Sequence, residues 1–189
     1  MTFTASNIPL LGPLTRMIGT WEGDKGLDIA LDDDRSGSEN NLFRERISFV
    51  PFDAPSNHEQ YLAGLRYNMI AWRIDEKKPF HEEYGYWLWD AADKQIMRAF
   101  VIPRGISILA GGTAENDANE FDLVATHGST TYGVCANPFL DREFKIVRFS
   151  MKVKFHADQT FSYDQDTQIQ VPGKPEIFHH RDRNTLKRI

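Results

Sequence analysis

Between Lys145 and His156 the chain alternates with a period of two. Val147, Phe149, Met151, Val153 and Phe155 fall on one parity, and Arg148, Ser150, Lys152, Lys154 and His156 on the other. Successive side chains of a strand point to opposite faces, so this run predicts a strand that buries its odd positions and wets the even ones. Thr160 to Val171 repeats the pattern, with Phe161, Tyr163, Ile169 and Val171 set against Ser162, Asp164, Asp166, Gln168 and Gln170. Earlier, Phe43, Ile47 and Phe49 oppose Arg44, Arg46 and Ser48. Runs at Leu62 to Ile74, Phe80 to Trp89, Gln95 to Ile102, Ile106 to Ala110 and Glu120 to Thr126 are richer in apolar residues, and most are bounded by turn formers such as Pro103, Gly105, Gly111 and Gly112. They read as further strands, and with Trp21 to Leu31 and a C-terminal strand the total is about ten. One short helix is expected, Leu10 to Ile18, interrupted by Pro13, while Asp32 to Asn41 and Thr113 to Asn119 read as polar insertions between strands.

About ten mostly antiparallel strands must either stack as a sandwich or close on themselves, and closure removes the unpaired edges that invite aggregation. The pattern therefore predicts an all-β fold. Its expected form is an up-and-down antiparallel closed β-barrel with a short N-terminal helix, one domain spanning residues 1–189. A barrel of this strand count is wide enough to hold a small ligand.

Parity then assigns faces. On the first strand, "GTWEGDKG" leads into a segment where Trp21, Gly23, Lys25, Leu27 and Ile29 share one parity and Glu22, Asp24 and Asp28 the other. If the first set faces inward, Trp21 either seals a barrel end or touches a ligand. Gly23 leaves room beside the indole for a backbone or a ligand. An inward Lys25 needs an anion, such as a protein carboxylate or the head group of an acidic lipophile, or else it reaches water at the barrel mouth. On the last strand His179, Arg181, Arg183, Thr185 and Lys187 form a wet face, which turns Phe178, His180, Asp182, Asn184 and Leu186 inward. His180, Asp182 and Asn184 are candidates for a hydrogen-bonded polar cluster under a lipophilic ligand, since buried polar groups require partners. "YGYWLW" packs Tyr84, Tyr86, Trp87 and Trp89 into six positions. Core packing accounts for most of these, with Trp87 a candidate for ligand contact and His81 an approach from the opposite wall.

Charge and composition narrow the partners. A formal net charge of −5 argues against nucleic acid, because neutralising phosphates requires a basic surface. No apolar stretch approaches the ~20 residues of a membrane-spanning helix, and no basic start with an apolar core marks a secretory signal. The single Cys135 cannot close an internal disulfide, which fits a cytoplasmic location. Asp32, Asp34, Ser36 and Gly37 imitate the start of a calcium loop, but its twelfth position is Phe43 rather than a bidentate glutamate. "HHRDR" distributes its charges along an exposed strand face. There is no Gly-x-Ser-x-Gly elbow, no phosphate loop and no zinc spacing.

Four segments, "GTWEGDKG", "PFHEEYGYW", "PRGISILAGG" and "FHHRDRNTLKRI", follow one another from Leu14 to Ile189 in an order that resembles the haem-binding β-barrel family that includes nitrobindin. Gly-x-Trp at the start of the first strand also recurs in lipocalins and fatty-acid-binding proteins. The resemblance implies a ten-stranded barrel, a short N-terminal helix and a cleft for ferric haem b held by a histidine near the C-terminus. His180 is the candidate iron ligand, and a haem propionate joins the anions open to Lys25. Lys25 stands where the family's glycine signature would end, and the spacing of the ligand histidine lands nearer Arg181. Two main readings follow. One is a barrel that binds a lipophilic small molecule without haem. The other is a ferric haem b protein, ligated by His180, that isomerises peroxynitrite to nitrate. A filled barrel serving only as a protein-interaction module is a third.

Overall fold

The computed structural model describes residues 5–53 and 58–189 of the chain. A 3-10 segment, Ala5–Met17, leads into β1 (Gly19–Leu31), β2 (Ser38–Asp53), β3 (Ala63–Arg73), β4 (His81–Asp90), β5 (Gln95–Ile102) and β6 (Ile106–Thr113). There follow β7 (Glu120–His127), β8 (Gly133–Ala136), the short helix α1 (Pro138–Glu143), β9 (Lys145–Phe155), β10 (Thr160–Gln170) and β11 (Phe178–Arg188). The strands close into a barrel in the order β1-β11-β10-β9-β7-β8-β6-β5-β4-β3-β2. Neighbours are antiparallel except for the two-residue parallel pairing of β7 with β8. The sheet therefore has no free edge, as closure demands.

Alternation carries most of the burial. Phe43, Ile47 and Phe49 of β2, Phe149, Met151, Val153 and Phe155 of β9, and Phe161 and Tyr163 of β10 all lie in the core. Three local departures correct the period-two reading. A one-residue bulge between Gly23 and Gly26 on β1 flips the parity beyond it, because the extra residue of a bulge turns every later side chain to the opposite face. Lys25 is consequently exposed while Gly26 and Asp28 are buried. On β9 the register moves from Arg148 to Ile146 against consecutive residues of β10, so Ile146 is buried and Val147 only half-buried. The strand beyond the expected ten, β8, is four residues long, too short to present a period. Helix α1 is also additional. Its start is written locally: the Asn137 side chain accepts the backbone N–H groups of Phe139 at 3.0 Å and Leu140 at 3.1 Å, with Pro138 at a first-turn position.

The two barrel ends differ. At one, the 3-10 segment buries Leu11, Leu14 and Met17. The break in that segment falls at Gly12, with φ +53°, rather than at Pro13. A Cβ there would lie 2.5 Å from Trp89 Nε1, so glycine is needed both for the backbone conformation and for the close approach to the indole. Trp21 closes the same end: its Nε1–H donates to the Met17 carbonyl at 2.6 Å, and its ring meets Phe161 edge-on at 4.9 Å. The other end carries the β1–β2 turn, the β3–β4 and β5–β6 connections and α1. No helix among the described residues is long and apolar enough to cross a membrane.

Candidate functional site

A cavity of about 550 Å³ runs through the barrel, its wall built from inward residues of β1 to β6, β9, β10 and β11. Phe49, Trp87, Phe100, Phe149, Met151 and Phe161 supply much of its apolar surface, and Arg35, Arg104, Phe80 and Phe144 border it near the end that carries α1. The volume falls within the range of small-molecule sites. Against this apolar wall stand three polar groupings.

The first joins β4, β3 and β5. Glu83 is ion-paired through Oε2 with Arg98, accepts the Tyr67 hydroxyl on the same oxygen at 3.0 Å, and holds His81 Nε2 at 3.2 Å with Oε1. Arg98 also donates to Tyr67 Oη at 3.0 Å and to Gln165 Oε1 at 3.1 Å, and its guanidinium lies 4.2 Å from the Phe100 ring centre. Burial opposes ionisation of Glu83, but the Arg98 charge and the His81 hydrogen bond overcome it and draw its pKa down to about 2. This buried pair is therefore ionised and spent on itself.

The second crosses the seam between β1 and β11. His180 Nε2 donates to Asp28 Oδ1 at 2.8 Å, while Asp28 Oδ2 faces Arg73 at 3.3 Å and Asn41 at 3.5 Å. Asp182 Oδ1 lies 3.7 Å from the same imidazole nitrogen. Burial disfavours charge on His180, yet the Asp28 hydrogen bond and the Asp182 and Asp28 charges prevail and raise its pKa. For Asp28, burial is outweighed by the hydrogen bond and charge of His180 and by Arg73, so its pKa is lowered.

The third centres on Glu45 of β2. Its Oε1 accepts the Tyr163 hydroxyl at 2.9 Å and Asn184 Nδ2–H at 2.8 Å. Its Oε2 is buried and has no hydrogen-bond partner among the described residues. Burial is the main cause that carries its pKa to about 7, the two hydrogen bonds resisting and the Glu83 and Asp182 charges adding to the rise. Asp182, whose Oδ2 accepts Gln165 Nε2–H at 3.3 Å, is raised by burial to about 6 against the pull of His180.

Of the residues singled out from sequence, His81, Trp87, His180 and Asp182 line the cavity. Trp21 sits in the closed end beside Phe161. The room left by Gly23 is taken by Asn184 and the Thr185 carbonyl, and Asn184 supports Glu45 from behind. Lys25, turned by the bulge, faces solvent. Sequence reading set Asp28 on the outward parity and gave no site role to Glu45, Tyr67, Glu83, Arg98 or Gln165. Glu45 lies on the parity of Phe43 and Ile47, and Glu83 on that of His81 and Trp87; a charged residue on an apolar parity was the available signal. Asp28 lay hidden behind the bulge.

An antiparallel barrel enclosing a ligand-sized, mainly aromatic cavity with inward charged groups defines a small-molecule-binding barrel. Residues 10–188 match the THAP4-like, heme-binding beta-barrel domain, and the chain belongs to that family. A stretch of 78 residues, 41% of this chain, is 38% identical to the peroxynitrite isomerase of Leifsonia xyli subsp. xyli (strain CTCB07) and spans 34% of that relative's length. The crystal structure of Rv2717c from M. tuberculosis superposes with a TM-score of 0.67 at 19% identity, covering 96% of this chain and 98% of that one, which shows the shared fold.

As placed here, His180 does not present its Nε2 to a haem iron. Iron takes a neutral imidazole through a lone pair aimed at open space. Here Nε2 is engaged by the buried Asp28 carboxylate at 2.8 Å, in surroundings that favour the imidazolium. Recruiting it would require a proton to leave and Asp28 to lose that donor, at a cost that burial makes large. His81 is similarly held by Glu83. For a bare cation, Asp28, His180 and Asp182 offer ligand atoms within 4.8 Å of one another, a spacing that His180 and Arg73 already neutralise.

Proposed function

We propose that this chain captures a lipophilic small molecule inside the barrel and acts as a binding protein rather than through a chemical step of its own. The observation that carries this reading is the cavity of about 550 Å³ with its aromatic wall, which offers apolar burial at about 25 cal/mol per Å² to any ligand that fills it. Cavity residues His81, Trp87, His180 and Asp182 are the ligand-contact candidates, and the wall charges set orientation. A cytoplasmic location belongs to the same proposal. Titration with a neutral fluorescent hydrophobe such as Nile red tests it: saturable, one-to-one enhancement is expected, and an absence of enhancement overturns the reading.

A second reading, favoured by family membership and by the matched stretch of the Leifsonia relative, is a ferric haem b protein acting on peroxynitrite. Its signature is a haemin-induced Soret band that His180→Ala removes and His179→Ala leaves intact. The engagement of His180 by Asp28 leads us to expect no band of that kind in the wild type.

A further inference from the structure

We infer that the ligand carries an amine, and that Glu45 is the group that receives it; this rests on the cavity-binding reading above. Glu45 differs from the other two inward glutamate and aspartate groups with strong partners. Glu83 has Arg98, and Asp28 has His180 and Arg73. Among the described residues Glu45 has only the neutral donors Tyr163 and Asn184, both on one oxygen, and its second oxygen is buried without a partner. A buried acceptor left unmet is costly, by about 1–3 kcal/mol for a neutral group and more for a charged one, so its retention in a ligand cavity marks a place where the ligand supplies the donor.

The charges around it decide which donor. Glu45 faces Tyr163 from β10, Asn184 and Asp182 from β11, and feels Glu83 from β4. No cation is among these contacts. Two guanidinium groups of the wall, Arg98 and Arg73, are committed to Glu83 and Asp28. An ammonium at Glu45 Oε2 would meet the unsatisfied oxygen and offset the surplus negative charge shared with Asp182. A carboxylate in the same place would be repelled by both, and Lys25, outside the barrel, cannot compensate it. The apolar body of the ligand would then lie along Phe49, Trp87 and Phe161.

Displacement of Nile red by three ligands of equal chain length, dodecylamine, dodecanol and dodecanoic acid, tests this. At pH 8 the amine is expected to displace the dye at a concentration about tenfold lower than the alcohol, the size of one charge-assisted hydrogen bond, with the acid weakest. Glu45→Gln preserves the side-chain volume and should bring the amine to within about twofold of the alcohol, read as the ratio of the two displacement concentrations within that variant. Should that variant not fold, the wild type gives a second readout: the amine's advantage should shrink between pH 8 and pH 5 as Glu45 takes up its proton, with the alcohol unaffected. Dye capture with no preference for the amine, or a preference unchanged in Glu45→Gln, overturns this inference and leaves the binding reading standing. A failure to capture the dye overturns both.

Discussion

A Cβ on Gly23 would lie 2.6 Å from Asn184 Nδ2 and 2.8 Å from the Thr185 carbonyl, so the glycine two residues after Trp21 is what allows Asn184 to turn toward Glu45. The small residue in "GTWEGDKG" thus makes room for a hydrogen-bond donor to a buried carboxyl, while the tryptophan closes the barrel end.

Gly23→Ala should therefore act twice. The contact with the backbone carbonyl cannot relax by rotating a side chain, and overpacking of this kind costs about 1–3 kcal/mol. Asn184 would also be pushed from Glu45, leaving the carboxyl with Tyr163. Denaturant unfolding should show the loss, and a midpoint equal to wild type would refute the account.

Glu45 itself predicts a pH dependence. Its pKa is about 7 in the folded chain against an ordinary 4.5, so the folded state holds the proton more tightly than the unfolded one. Stability should fall as pH rises from about 4.5 to about 7, by about 3 kcal/mol from this group, and stay level beyond that window. Asp182, raised to about 6, slopes the same way. Glu45→Gln should flatten the profile and be the more stable form at pH 8; unfolding curves at pH 5 and pH 8 that shift equally in both proteins would contradict this.

Arg98→Met should be among the most damaging single changes in the barrel. It strands Glu83, whose carboxylate is buried and ionised, and removing one member of such a pair costs about 3–5 kcal/mol. Glu83→Gln added to Arg98→Met should recover part of the loss, a coupling measurable in a double-mutant cycle. Since Glu83 has a pKa lowered to about 2 from 4.5, its contribution is present above pH 4.5 and lost as pH falls toward 2.

Asp28→Asn should return the His180 pKa toward an ordinary histidine value, because the hydrogen bond and charge that raise it are removed. The His180 ring resonances followed by NMR against pH report the change. In wild type the Asp28–His180 pair contributes fully between the ordinary aspartate and histidine pKa values, and that contribution is lost as pH rises past the ordinary histidine value through the raised folded one. An unaltered titration in Asp28→Asn would mean that Asp182 alone holds the imidazole.

The barrel was legible because its strands bury one face: Phe149 to Phe155 and Phe161 to Tyr163 announce themselves by alternation. What alternation cannot express is a change of phase. One extra residue on β1 moved Lys25 outward and Asp28 inward, and one on β9 exchanged Val147 for Ile146. His180 and Asp182 were read on the correct face of β11 because that strand pairs without a bulge against β10. The charged interior was obscured for a different reason. Glu45, Glu83 and Arg98 are tolerated inside only through partners on other strands, and such pairings connect positions as distant as Glu45 and Tyr163, which no local window contains.

At the end of the barrel opposite Trp21, Arg35 reaches from the β1–β2 turn to Glu143 Oε2 at 3.3 Å and lies 4.4 Å from the Phe144 ring centre. Arg35 and Phe144 both border the cavity, so this contact ties the β1–β2 turn to the segment after α1 at its rim. A half-exposed ion pair contributes about 0–1 kcal/mol, which is too little to lock the rim and enough to slow its opening. A contact of that size would time passage without setting the strength of binding, which falls to the walls. Arg35→Ala should quicken uptake and release of a bound dye together in stopped-flow traces, leaving their ratio, the Kd, where it was.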